Sequence, residues 1–203
     1  KPSGLMIKKA FDTKHKGVRF AAYDFDSQKE MRLRMYVAHH ENLQNPSTIH
    51  VEVLGEEGWR KYLQLGRPAF AGVWNEELKL AGIQADTPVT DKIRQALEEQ
   101  LGHVRDHPKE VYITFMPRGA GLTILTDNER HITQARRRFM LLGQTLAGMQ
   151  VWDIRRCLQV TRTLPDFNKA TFQLWGRGDM ASMVSLASLY EPSIDQLNLT
   201  KYP

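Results

Sequence analysis

The chain has 203 residues, 41% hydrophobic and 25% charged, the balance of an ordinary globular protein and not of a disordered one. Its 28 Lys and Arg against 23 Asp and Glu leave a net charge of only +5, without the concentrated basic stripe of a nucleic-acid binder. The single cysteine, Cys157, excludes an internal disulfide and a cysteine metal cluster, and no apolar run approaches the ~20 residues that span a bilayer.

The sequence opens on Lys1-Pro2-Ser3 without Met, as a processed product or a piece of something longer does, and no signal-peptide pattern begins it. Residues 18–26 and 31–38 alternate with period two around Ser27-Gln28-Lys29-Glu30, which predicts an antiparallel hairpin. His39-His40-Glu41 is the densest donor cluster. Neighbouring residues on a strand face opposite ways, so the pair reads as exposed strand-end histidines and no metal site is expected. After Asn45-Pro46-Ser47, residues 48–54 form a short β-branched strand. Residues 59–107 read as mainly helical, most clearly at 90–101, where Thr90 can cap and Ile93, Leu97 and Leu101 recur at spacing four.

Residues 110–116 make another strand, closed by Pro117-Arg118-Gly119-Ala120-Gly121. The glycine spacing is not that of a phosphate loop. Arg118, with Gly119 and Gly121, reads as a structural turn whose guanidinium forks onto a carboxylate or strand-end carbonyls. One long helix is predicted over 131–163. Ala147, Val151, Ile154 and Leu158 form its docking face, extended by Phe139 and Leu142. On this helix Arg136-Arg137-Arg138 is a solvated turn and Cys157 a small core residue. Asp153, Arg155 and Arg156 read as contacts that dock helix on sheet. Pro165 ends the helix. A strand at 170–175, the turn Gly176-Arg177-Gly178-Asp179-Met180, a helix at 180–190 and, after Pro192, a strand at 194–199 complete the chain. Asn198-Leu199-Thr200 spells a glycosylation sequon, with no secretion signal beside it.

Strands alternating with helices predict an α/β protein: a three-layer α/β/α sandwich with a mostly parallel sheet and an antiparallel leading hairpin, in a single domain over 1–203. The strand 170–175 is apolar without alternation. That predicts a central position with both faces buried, between 111–116 and 194–199.

Strand, tight Gly-X-Gly turn and Ala/Ser/Leu helix reproduce the layout of a hydrolase nucleophile elbow. The chain resembles the α/β-hydrolase superfamily over about residues 18–203, in particular its acetyl xylan esterase and prolyl-oligopeptidase-like branch. Met116-Pro117-Arg118-Gly119-Ala120-Gly121 is similar to the branch's strand-end Arg-Gly-X-Gly turn. Residues 137–156, with Gly143, Trp152-Asp153 and Arg155-Arg156, are similar to the helix before the elbow strand. Leu54-Gly55-Glu56-Glu57-Gly58 stands where the family carries a His-Gly-Gly loop that lends a backbone N–H to the oxyanion hole. Here the His and one Gly are absent.

Hydrolysis on such a fold needs a nucleophile at the elbow, then an acid, then a His, in that chain order. Counting back from Pro192 as the resemblance implies places Gly178 at the nucleophile position, with Gly176 two before it and Met180 two after. Glycine cannot attack. In the other register Asp179 is the nucleophile, although Arg177 two before it is bulky. Otherwise Asp179 caps the helix that follows. Ser182, Ser185 and Ser188 lie inside that helix as a stripe of small residues. All seven histidines (His15, His39, His40, His50, His103, His107 and His131) precede the elbow.

The residues thus imply a degenerate hydrolase-like domain without a cofactor, structural or partner-binding in role, in a segment or C-terminal domain of something longer. The alternatives are a carboxylic-ester hydrolase using Asp179 or residues outside this segment, and a ligand-binding domain using the sheet edge near 117–121 and 176–180. An ester or carbohydrate ligand follows from the resemblance alone. Two carboxylates, Glu56 and Glu57, beside an oxyanion hole oppose the hydrolase alternative, because they repel the charge the hole must stabilise.

Overall fold

Among the residues described by the computed structural model (4–84, 86–124, 128–191 and 193–202), the elements follow in this order: β1 (Lys8–His15), β2 (Val18–Gln28), β3 (Met31–His40), β4 (Thr48–Val53), α1 (Glu56–Phe70), α2 (Asn75–Leu80) and α3 (Asp91–Asp106). Then come β5 (Glu110–Phe115), α4 (Glu129–Leu141), α5 (Leu146–Thr163), β6 (Thr171–Arg177), α6 (Asp179–Ser188) and β7 (Gln196–Thr200). Pro192, the residue from which the elbow register is counted, lies outside the described residues, as do 1–3 and Pro203.

The strands join in one mixed sheet of order β1-β2-β3-β5-β4-β6-β7. β1, β2, β3 and β5 pair antiparallel in succession, while β5-β4-β6-β7 run parallel. Period-two alternation sorts the side chains between two cores. Phe20 and Tyr36 pack with Trp59 and Leu63 of α1 and with Leu97 and Leu101 of α3. Met35 and Val37 pack on the opposite face with Ile154 and Leu158 of α5 and Val184 of α6. Helices cover both faces, in three layers. Each fully buried Leu, Ile or Phe contributes about 1.5–3 kcal/mol relative to exposure. No helix among the described residues is long and apolar enough to cross a membrane.

The hairpin forms where its alternation places it, with a third strand, β1, beside it. Thr90 caps α3, its hydroxyl accepting from the Ile93 N–H at 3.4 Å. The predicted helix 131–163 is two helices. At the end of α4, Gly143 (φ +68°) donates to Met140 O at 3.0 Å and Gln144 to Phe139 O at 2.9 Å, a Schellman closure. Thr145 then opens α5, its Oγ1 accepting from the Gly148 N–H at 3.0 Å. The docking face shifts accordingly: Met149, Asp153, Ile154, Cys157 and Leu158 are buried, while Ala147 is exposed. Arg136, Arg137 and Arg138 are exposed on α4.

β6 also departs from expectation. Its neighbours are β4 and β7, because β4 inserts between it and β5. Its burial alternates as well: Phe172, Leu174 and Gly176 are buried, while Thr171, Trp175 and Arg177 are exposed. One face of this strand is covered and the other is open. On α6 the buried stripe is Met180, Ala181, Val184 and Ala187, and the serines at 182, 185 and 188 are half-buried beside it.

Candidate functional site

β6 ends at Arg177 and α6 begins at Asp179, so strand turns into helix through one residue, Gly178. Its backbone lies at φ +60°, ψ −132°, a region that strains any residue carrying a Cβ. A Cβ added there would meet nothing within 4 Å. The apex therefore faces open space and presents no side chain. Two residues earlier the situation reverses. A Cβ on Gly176 would lie 2.8 Å from Met180 O and 2.9 Å from the Cα of Ala181. Strand and helix backbones touch here, and only glycine fits between them.

Arg177 and Asp179 on either side are exposed. Gly178 holds the N-cap position of α6, and Asp179 is its first helical residue instead of its cap. The Asp179 carboxylate is thus set at the positive end of the helix dipole. Met180 is buried, and its Cγ lies 3.8 Å from where a Cβ on Gly55 would stand. The loop after β4 and the turn after β6 are neighbours across this side chain.

That loop commits its carboxylates locally. Gly55 precedes α1, and Glu56 and Glu57 occupy its first turn with Gly58 following. Glu56 accepts from the Gly121 N–H at 3.0 Å and from Arg60 Nε at 3.0 Å. Glu57 pairs with Lys61, whose hydrogen bond holds the Glu57 carboxyl below its ordinary range.

At the end of β5, the guanidinium of Arg118 grips both oxygens of Asp153, Nε to Oδ2 at 2.8 Å and Nη2 to Oδ1 at 2.6 Å. The Arg118 backbone N–H adds a third bond to Oδ2 at 3.0 Å, and Ser27 Oγ donates to Oδ1. Arg118 Nη2 also donates to Gln28 Oε1 at 3.2 Å. The end of β2, the end of β5 and the middle of α5 are tied together, with Gly119 and Gly121 in the turn that follows at φ +84° and +59°. Arg155 reaches Glu191 at 3.0 Å and Arg156 the carbonyl of Asp26 at 3.4 Å.

The histidines stand elsewhere. His39 and His40 are half-buried at the end of β3 and not exposed; His39 Nδ1 lies 2.7 Å from His40 O, and burial lowers its pKa. His50 Nε2 lies 2.8 Å from Glu110 Oε2, which also accepts from Tyr112 OH at 2.6 Å. The imidazole stacks flat on Tyr112, centroids 4.9 Å apart at 9°. Burial and the bond to Glu110 raise the Tyr112 pKa. Sequence reading misses this group, since only the β4–β5 register sets His50 opposite Tyr112. His50 is also opposite Gln173, five residues before Gly178, roughly 16 Å along a strand. Among the described residues no cluster of three His, Cys, Asp or Glu side chains is placed to hold a metal ion. Asn198 Nδ2, the sequon nitrogen, is buried.

No protein-family model matches the chain, and no curated protein does. Solved structures do. A candidate acetyl xylan esterase from Bacteroides fragilis superposes with a TM-score of 0.66 at 15% identity, over 97% of this chain and 48% of that one. Acetyl xylan esterase from Paenibacillus sp. R4 gives 0.60 at 9% identity, over 96% and 53%. A glucuronoyl esterase from Solibacter usitatus gives 0.55 at 9%, over 97% and 52%. At such identities the likeness is one of fold, and the chain spans about half the length of these neighbours. Over that span its architecture is that of the α/β-hydrolases.

Proposed function

We propose that this chain is a non-hydrolytic α/β-hydrolase-like domain, structural or ligand-binding in role, whose nucleophile elbow is degenerate. The observation that carries the reading is Gly178: the strained apex between β6 and α6 is kept, with φ +60° and ψ −132°, and it offers no atom to attack with. Gly176 retains the close backbone approach such a turn needs. No described histidine is hydrogen-bonded to this turn, and His50 is committed to Glu110 on the middle of the sheet. Asp179 is the weaker alternative nucleophile, because it follows the apex and lies on the helix. The names of the neighbours make acetylated xylan and related sugar esters the first ligands to test for binding.

The experiment is hydrolysis of p-nitrophenyl acetate by the purified chain. The expected rate is that of its surface histidines and lysines, without a burst. Gly178→Ser should not raise it, because no histidine is placed to take the serine proton. Burst kinetics, or a rate that collapses on Asp179→Asn alone, would overturn the reading and make Asp179 the nucleophile.

A further inference from the structure

The core on the α1/α3 side of the sheet does not close completely. A cavity of about 130 Å³ lies there, walled in part by Phe20, Phe70, Trp74 and Leu101, each almost wholly buried. Gly66 belongs to the same wall: a Cβ on it would come within 2.5 Å of the Trp74 ring, so glycine lets that indole lie against α1. Phe20 is 4.3 Å from Phe70 and edge-on to Trp74 at 5.4 Å, centroid to centroid. On the helix side the lining includes Gln100 and His103, one turn apart on α3 and both exposed. Tyr62, Tyr112 and Thr114 line it as well, so the cavity has aromatic walls with polar groups among them, and Gln100 and His103 stand on its solvent-facing side.

Size and lining set what fits. Apolar cavities of about 150 Å³ stay dry and accept benzene, whereas a buried water needs two to four polar partners. Atoms that face a void lose dispersion contacts that a fitting ring would restore, and rings at these separations favour edge and offset contacts with another ring. We infer that this cavity is a binding site for a one-ring aromatic molecule with one polar substituent, the ring against Phe20, Phe70 and Trp74 and the substituent beside Gln100 and His103. The inference does not depend on whether the elbow is catalytic.

The test is titration of the intact chain with 4-fluorophenol, followed by its ¹⁹F resonance. Saturable broadening and shift are expected. Ala38→Leu fills the cavity from β3 and Leu97→Phe from α3; each should weaken binding at least about tenfold, a loss of 1.4 kcal/mol, with a melting temperature no lower than that of the parent. The second variant decides the matter if the first does not fold. Leu101→Ala should extend binding to the larger 5-fluoroindole. Linear, non-saturating partition of 4-fluorophenol, or saturable binding unchanged in a folded filling variant, overturns the proposal.

Discussion

Arg118 and Asp153 form a two-point ion pair, 2.6 and 2.8 Å, in which the arginine side chain is 5% exposed and the aspartate 0%. Removing one partner from such a pair strands a charge in the core, at a cost of about 3–5 kcal/mol. Arg118→Met and Asp153→Leu are each expected to lower the urea midpoint accordingly. The double variant should recover part of the loss, since it leaves no charge unpaired, while the N–H of residue 118 and Ser27 Oγ still lose their acceptor. Equal midpoints for single and double variants would mean that the pair does not act as a unit.

The two glycines of the β6–α6 turn, Gly176 and Gly178, should respond differently to alanine. Gly178→Ala keeps open space around its new methyl and suffers only backbone strain, about 1–3 kcal/mol. Gly176→Ala drives a methyl into Met180 O and the Cα of Ala181, so it carries an overpacking cost that backbone cannot easily relieve. Thermal melts should rank Gly176→Ala below Gly178→Ala. The reverse order would mean that strand and helix are set further apart at this turn.

Ile154 faces the sheet at 0% exposure, whereas Ala147 on the same helix is exposed. Ile154→Asp buries an unpaired carboxyl group, charged or protonated, and is expected to cost several kcal/mol. Ala147→Asp should stay within about 0.5 kcal/mol. Denaturant titration of the two variants reads the orientation of α5 directly.

Asp12 on β1 accepts from Arg19 on β2 through both oxygens, at 2.8 and 2.6 Å. The hydrogen bonds from Arg19, with help from Lys9, hold its carboxyl well below the usual carboxylate range. A depressed folded pKa means that the stabilisation is present above the unfolded value, near 4, and is lost as pH falls toward the folded one. Asp12→Asn should therefore lower stability at pH 7 and flatten part of the decline below about pH 4. A pH series of urea midpoints for both proteins checks the sign; parallel curves would contradict it.

How much of this was legible in the sequence depended on what each element turns toward the core. β4 and β5 declare themselves because their Ile, Val and Phe residues bury. β1 does not: Lys8, Lys9 and Ala10 are exposed and its remaining residues no more than half-buried or exposed, so the strand is held by pairing with β2 and by Asp12–Arg19, neither of which leaves an apolar pattern. The α4–α5 break hides because Phe139, Leu142 and Val151 continue one helical stripe across it, and only Gly143 and Thr145 mark the stop and start. The tight strand-to-helix turn at Gly178 is legible because its two glycines, Gly176 and Gly178, stand between an apolar strand pattern and a helical one. Which strand flanks β6, and that His50 meets Glu110, depend on register between distant segments, which no window of sequence contains.

The sheet order has a consequence for biosynthesis. β4 pairs with β5 on one side and β6 on the other, and β6 begins only at Thr171, well after β5 ends at Phe115. At ribosomal speeds of about 5–20 residues per second, that separation amounts to roughly 3–11 s. During that interval the emerging chain holds strands that can pair on one side of β4 while its other edge, with Ile49, Val51 and Val53, has no partner. An edge of that kind is a template for another chain, so the nascent protein is exposed to misassembly before β6 has been made.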